Sequence, residues 1–190
     1  MRGPTVFASL FLVILAGPAM SLPGPLRLAE ATVPKKAPIQ RTAAEYIDQI
    51  ASNNLFEIAV AQLALQKSKS AEIRNFATQL IKSYATERGL LQVSLKYSSI
   101  HVQLPQALDD SHNALLAQLK LASGLEFDAR FIQQQVDTHE MVLELHQDFA
   151  KRGEDAALKR FAAEAETRID GLRDMAQKVS HSLAGLEPRA

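Results

Sequence analysis

The sequence predicts an all-α protein built around four long helices. Four stretches carry apolar residues at the spacing of an amphipathic helix, and no segment shows the alternation typical of a strand. The segments 72–77 and 157–162 are similar to each other, and they open the second and the last of these stretches in the same helical phase. Two similar helical hairpins joined by a long connection describe a ferritin-like up-down four-helix bundle, with a short extra helix in the crossover.

Residues 1–21 predict a cleavable export signal. Arg2 gives a positive start, and the apolar run 6–16 is about half of the ~20 residues that a membrane-spanning helix needs. The chain has no cysteine, which excludes lipoprotein anchoring, disulfides and thiol chemistry. We therefore expect an exported protein of the periplasm or the extracellular space, with outer-membrane association as an alternative and no transmembrane segment after signal cleavage.

The remaining chain divides into a linker, a bundle and a short tail. Residues 22–41 contain four prolines without helical periodicity, which predicts a flexible linker. The bundle is predicted at 42–184, and residues 185–190 should fray. The 21 basic and 21 acidic residues cancel, so the composition indicates no nucleic-acid partner.

Each helix has its own start or stop signal. Thr42 and Glu45 form a capping box that begins the first helix, which should end near Lys67. Ser70 can cap the second helix, and Gly153 is expected to end the 126–152 helix as a left-handed glycine C-cap. The remaining helices are predicted at about 71–96, 110–122, 126–152 and 155–183.

Polar side chains interrupt the apolar faces of three of these helices. Because a core-facing polar group needs a hydrogen-bond partner or a ligand, these residues are the candidate functional site. On the wheel of the 126–152 helix the inward polar residues are Gln135, Thr138, His139 and His146, and the other two helices contribute Glu57, Tyr84 and Glu87.

The spacing of these residues argues against a standard two-metal centre. Such a centre needs Glu-x-x-His on two helices, and the chain contains no such motif. A single Fe, Mn or Zn ion at Glu57 and His139, with Tyr84, Glu87 and His146 nearby, remains an alternative. The favoured interpretation is structural: Glu57 and His139 should pair as ions, with Tyr84 donating to one of them, which would raise the His139 pKa above its ordinary value.

The stretches 57–77, 104–105 and 127–162 carry short motifs in a fixed order and spacing, among them Phe127-Asp128, Val136, His139-Glu140, Gly153, Leu158-Lys159 and Phe161-Ala162. In these motifs the region 42–179 resembles a ferritin-like, exported bacterial family catalogued as a domain of unknown function, whose members are labelled outer-membrane or periplasmic proteins. The resemblance implies histidines where this chain has Tyr84 and Leu172. Two of the four inward polar positions of the family are therefore replaced here.

These observations lead to one expected function and two alternatives. We expect an exported, non-enzymatic helical bundle of the cell envelope or periplasm, a binding or stress-related module with a degenerate metal site and no cofactor. Its partner is an unidentified protein or small molecule, and the sequence leaves the oligomeric state open. The alternatives are a ferritin-like metal-binding oxidoreductase or metal store using Fe or Mn, and a small-molecule carrier with a cavity near Gln135 and His139.

Overall fold

The computed structural model describes residues 42–184, and all regular secondary structure in this range is helical. The helices are α1 (Ala43–Lys67), α2 (Ala71–Lys96), α3 (Asp110–Leu121), α4 (Gly124–Arg152) and α5 (Ala156–Ala184). The predicted all-α bundle, with a short helix in the crossover, is confirmed. The predicted export signal, linker and C-terminal tail lie outside the described residues.

Side-chain caps fix where α1, α2 and α3 begin. The predicted capping box is present at α1: the Glu45 amide donates to the Thr42 hydroxyl (3.2 Å), and the Thr42 amide donates to Glu45 Oε2 (2.8 Å). Ser70 accepts from the amide of Ile73 at the start of α2, and an aspartate caps α3 in the same way. These bonds satisfy amides that a helix N-terminus otherwise leaves without a partner.

The cap of α5 also holds the crossover in place. Oδ1 of Asp155 accepts hydrogen bonds from the amides of Ala157 and Leu158, at 3.0 and 2.9 Å. Its Oδ2 accepts from the Ser98 hydroxyl (2.9 Å) and the Ser99 amide (3.0 Å), just beyond the end of α2. One carboxylate thus joins the start of the crossover to the start of α5.

Gly153 ends α4, but not in the way that the sequence suggested. Its φ is −59°, so the predicted left-handed C-cap is wrong. Glycine is needed there for space instead, because a Cβ would lie 2.6 Å from both the ring and the carbonyl oxygen of Phe149. The left-handed glycine is Gly124, with φ +57°, at the first residue of α4.

The bundle consists of two antiparallel hairpins, α1–α2 and α4–α5, packed side by side. α1 packs against α4, and α2 packs against α5. Both of these pairs are antiparallel: in the second, Glu72 near the start of α2 contacts Ser182 near the end of α5, and Glu87 contacts Arg168 further along. α2 and α4 are parallel because the long crossover, which contains α3, returns the chain to the end of the bundle at which α2 begins.

Aromatic and aliphatic side chains fill the interior between the four long helices. Leu80 of α2 and Phe161 of α5 are both buried. Truncating a phenylalanine in such a core costs about 3–5 kcal/mol. The largest fully buried apolar side chains are Phe56, Phe76, Phe127, Phe131, Ile47, Ile50, Ile73, Leu80, Leu91 and Leu158.

Candidate binding site in the bundle core

Polar side chains from all four long helices lie inside this apolar interior. They form two neighbouring groups, and every predicted site residue except Thr138 belongs to one of them. The Glu57 cluster consists of Glu57, Tyr84, Gln135 and His139, all fully buried. The Glu87 cluster consists of Tyr46, Glu87, His146 and Arg168, of which only Arg168 is partly exposed.

The backbone of α4 orients the imidazole of His139. Gln135 and His139 are four residues apart, which places them one above the other on the same face of the helix. The ring nitrogen Nδ1 lies 2.5 Å from the carbonyl oxygen of Gln135. Because a carbonyl only accepts, the proton is assigned to Nδ1, and the lone pair lies on Nε2. This Nε2 atom has no hydrogen-bond partner.

The carboxyl group of Glu57 projects from α1 into the same region. The Gln135 side chain lies beside it, but neither carboxyl oxygen makes a hydrogen bond of ordinary geometry. Burial raises the pKa of Glu57 to about 8, and the nearby Gln135 amide opposes the shift only in part. Glu57 is therefore protonated and uncharged at neutral pH.

Tyr84 of α2 completes the Glu57 cluster. Its ring centroid lies 5.9 Å from that of His139, with the two planes tilted by 39°. The buried side chain of Asn53 lies beside the hydroxyl group, but the two make no hydrogen bond of ordinary geometry. Burial raises the Tyr84 pKa well above its ordinary value, and the nearby carboxylates of Glu57 and Glu87 raise it further. The phenol therefore stays protonated and lies close to both glutamates.

The predicted ion pair between Glu57 and His139 is wrong. No hydrogen bond joins the two side chains, and Tyr84 donates to neither of them. Burial lowers the His139 pKa to about 4, which is opposite to the predicted direction, and the hydrogen bond to the Gln135 carbonyl offsets only part of this. Desolvation favours the neutral form of every group here, so the cluster is polar but uncharged.

The Glu87 cluster, in contrast, is a connected chain with one side chain from each long helix. The Tyr46 hydroxyl donates to Nδ1 of His146 at 2.8 Å. Nε2 of His146 faces Oε1 of Glu87 at 3.4 Å. Oε2 of Glu87 accepts from Nε and Nη2 of Arg168 at 3.1 and 3.0 Å.

The charges of the Glu87 cluster come from the carboxylate and the guanidinium alone. Burial, together with the positive charge of Arg168, lowers the pKa of His146 to about 3. The contact between His146 and Glu87 is therefore not an ion pair. Burial also raises the Glu87 pKa, but Arg168 opposes this directly through its charge and its hydrogen bonds. Sequence reasoning missed Arg168, although it lies three residues after Ala165 and four before Leu172 on the buried stripe of α5.

One predicted inward residue lies elsewhere. Thr138 is only half-buried and lines an open groove of about 750 Å³ between α3 and α4. The groove has Leu115, Leu119 and Met141 on its apolar side. It lies on the outer side of α4 and does not reach the enclosed side chains of the Glu57 cluster, so it is not the predicted cavity near Gln135 and His139.

The available donor atoms determine whether either cluster could hold a metal ion. Within residues 42–184, no three His, Cys, Asp or Glu side chains are grouped in a way that could hold a metal ion. In the Glu87 cluster, Tyr46 engages Nδ1 of His146 and Arg168 engages Oε2 of Glu87, while His146 Nε2 and Glu87 Oε1 face each other at 3.4 Å without a hydrogen bond. In the Glu57 cluster, by comparison, His139 Nε2, both carboxyl oxygens of Glu57 and the Tyr84 hydroxyl are free to act as ligands. None of the helices in residues 42–184 has the length and hydropathy to cross a bilayer.

Three comparisons place this geometry among known proteins. The sequence profile of a family described as "Domain of unknown function (DUF4142)" matches residues 28–179. A solved structure of CopM in the Cu(II)-bound form aligns with a TM-score of 0.62 and 17% identity, covering 76% of this chain and 99% of that one. At this identity the similarity shows a shared helical fold. No curated protein matches the sequence significantly.

Proposed function

Because the chain belongs to the DUF4142 family, as the match over residues 28–179 shows, we propose for it the role that its sequence predicts for an exported member. The protein is a non-enzymatic helical bundle of the periplasm or cell envelope, and it binds a ligand inside its core. The observation that carries this proposal is the set of unpaired polar atoms in the Glu57 cluster.

The free energy of these unpaired groups supports a binding role. An unsatisfied buried polar group costs about 1–3 kcal/mol. The groups of Glu57, Tyr84, Gln135 and His139 all lack a hydrogen bond of ordinary geometry, although Gln135 lies beside Glu57 and Asn53 lies beside Tyr84. A bound species that hydrogen-bonds or coordinates them would remove this cost. The arrangement is therefore better explained by an occupant than by packing alone.

The enclosure of the cluster favours binding over catalysis. All four side chains are inaccessible to solvent, and burial holds Glu57 and His139 in their neutral forms. Turnover would require substrate and product to cross the packed bundle in every cycle, whereas a binding module needs to open only to load and unload. This supports a degenerate site that retains its ligand, in a binding or stress-related module.

A second candidate function is a ferritin-like oxidoreductase or metal store that uses Fe or Mn. Two observations favour it: the likeness to CopM in its Cu(II)-bound form, and the connectivity, in which one long crossover makes α2 and α4 parallel, as in ferritin-like bundles. Its metal ligands would come from the Glu57 cluster. Tyr84 and Leu172 occupy the two positions at which the family resemblance implies histidines.

The test is the composition of the protein as the cell makes it. Untagged protein is isolated from the envelope fraction, and its mass is compared under native and denaturing conditions. We expect an N-terminus near residues 20–22 and a non-covalent adduct that denaturation releases. The adduct should be missing in His139→Leu and present in Glu144→Gln, a change at an exposed position of the same helix.

Two results would decide against the proposal. A bare polypeptide mass under native conditions would contradict ligand binding, and retention of Met1 in the cytoplasmic fraction would contradict export. Stoichiometric Fe or Mn by elemental analysis, together with turnover of an oxidisable substrate, would instead establish the second candidate.

A further inference from the structure

We propose that the Glu57 cluster binds a single divalent transition-metal ion, Cu(II) in preference to other first-row metals, through His139 Nε2, a Glu57 oxygen and the Tyr84 oxygen. This inference rests on the proposed binding function and names the class of ligand. It concerns a metal ion held as cargo at one mononuclear site, not a two-metal centre that performs turnover.

The orientation of His139 is the first argument. Metal-binding histidines commonly donate the proton of their second ring nitrogen to a carbonyl or carboxylate, which fixes the tautomer and aims the other nitrogen at the metal. His139 already has this arrangement, with Nδ1 at 2.5 Å from the carbonyl oxygen of Gln135. Its Nε2 is fully buried and without a partner, so the lone pair is available for a metal.

The other two donors come from two different helices. Glu57 lies on α1 and Tyr84 on α2, while His139 lies on α4. The rings of Tyr84 and His139 are 5.9 Å apart, and Glu57 lies beside both Tyr84 and Gln135. Their oxygens have no hydrogen-bond partner. Three rigid helices therefore present one nitrogen and two kinds of oxygen donor to a common region.

The chemistry of this donor set selects the class of metal. Ca²⁺ and Mg²⁺ prefer oxygen ligands alone, whereas an imidazole nitrogen with carboxylate and phenol oxygens suits transition metals. Among divalent first-row ions, the affinity of such a site increases from Mn²⁺ to Cu²⁺ and falls again at Zn²⁺. The side-chain amide of Gln135, also without a partner, could complete the coordination through its oxygen.

The Glu87 cluster provides a matched control inside the same bundle. His146 is as deeply buried as His139 and lies on the same helix. Its Nδ1 accepts from Tyr46, and its Nε2 faces a glutamate that is already bound by Arg168. His146 therefore belongs to a different set of contacts: Tyr46 engages its Nδ1, and its Nε2, although it makes no hydrogen bond, faces Glu87 rather than Glu57. Its replacement should leave metal binding at the Glu57 cluster intact.

The depth of the site determines how it must be loaded in an experiment. The donors are inaccessible in the folded bundle. The untagged full chain is therefore unfolded in urea with chelator, the chelator and the urea are removed, and the chain is refolded in the presence of Cu(II), Zn(II) or Mn(II). After desalting, the retained metal is measured by elemental analysis and the Cu(II) environment by electron paramagnetic resonance and visible absorption. Circular dichroism confirms that each variant is folded.

We expect one Cu(II) per chain, retained more strongly than Zn(II) or Mn(II), with nitrogen coupling from a single imidazole. His139→Gln and Glu57→Gln should abolish retention. Tyr84→Phe should lower the affinity 10–100-fold or more and remove the phenolate-to-Cu(II) absorption, because it deletes only the ligand oxygen. His146→Gln, and His181→Gln at an exposed position, should bind copper as the unmodified chain does.

Three outcomes would overturn the inference: no copper retained by the folded chain, equal retention in folded His139→Gln, or loss in His181→Gln, which would indicate a surface site. None of them bears on the adduct found in protein from cells. An organic adduct there, with no copper retained on refolding, would leave the proposed binding function standing and remove the metal.

Discussion

Replacing Glu57 by glutamine should stabilise the metal-free protein, and more so as the pH rises. Burial raises the Glu57 pKa from 4.5 to about 8, so the unfolded chain releases this proton at a lower pH than the folded chain does. The free energy of unfolding of the unmodified protein therefore decreases as the pH rises from the lower pKa to the higher one. The stability that depends on a protonated Glu57 is fully present only below the lower pKa. Glutamine has nearly the same shape and cannot ionise.

The size of the effect follows from the shift. One pKa unit corresponds to about 1.36 kcal/mol. The burial of an ionisable Glu57 therefore lowers the free energy of unfolding by about 3 kcal/mol at about pH 7, and by less than about 1 kcal/mol at about pH 5. Urea unfolding in chelator, followed by circular dichroism at both pH values, measures the difference between the variant and the unmodified chain. Contributions of the histidines are common to both proteins and cancel in this difference.

Glu144→Gln is the control, since it removes an exposed carboxylate from the same bundle. It should change the free energy of unfolding by no more than about 0.5 kcal/mol, as surface substitutions do. If Glu57→Gln is less stable than the unmodified protein at neutral pH, or if its advantage does not grow with pH, then Glu57 is ionised in the folded state and the account of an uncharged cluster is wrong.

Three further variants test the hydrogen bonds that hold the bundle together. Tyr46→Phe should lower the free energy of unfolding by about 1–3 kcal/mol, because it leaves Nδ1 of His146 buried without a donor; urea unfolding measures this, and no change would show that the bond contributes little. Arg168→Met should cost about 3–5 kcal/mol by leaving the Glu87 carboxylate unpaired, and the double variant with Glu87→Leu should recover part of that loss in a thermodynamic cycle. Asp155→Ala should cost about 1–2 kcal/mol and speed amide hydrogen exchange at the start of the crossover, whereas unchanged exchange there would contradict its role as a tie.

The sequence alone was enough to predict the helices and most of the inward polar residues. Apolar periodicity and caps gave the helix ends to within about two residues, because these signals are local. The burial of Glu57, His139 and His146 followed from their positions on apolar stripes. Thr138 lies at the margin of its stripe, where a small rotation of α4 decides between core and surface.

The partners within the core could not be predicted from the sequence. They depend on how far each helix is rotated and shifted against the next one, and a single helical wheel contains no information about this. Arg168 was overlooked because arginine is rarely buried and its partner lies on another helix. The predicted charge state of His139 failed for a related reason: whether desolvation or a neighbouring charge dominates depends on distances that only the packed bundle sets.

The chain of contacts from Tyr46 to Arg168 also limits which alternative packings the protein can adopt. Apolar side chains tolerate sliding, since one aliphatic contact can replace another, but a displacement of one helical turn, about 5.4 Å, would separate every donor from its acceptor along this chain. Glu87 would then be enclosed without Arg168. The two hairpins can thus dock in one alignment at low free energy, and every neighbouring alignment buries an uncompensated carboxylate. In this bundle, polarity selects the correct packing, while the apolar core supplies most of its stability.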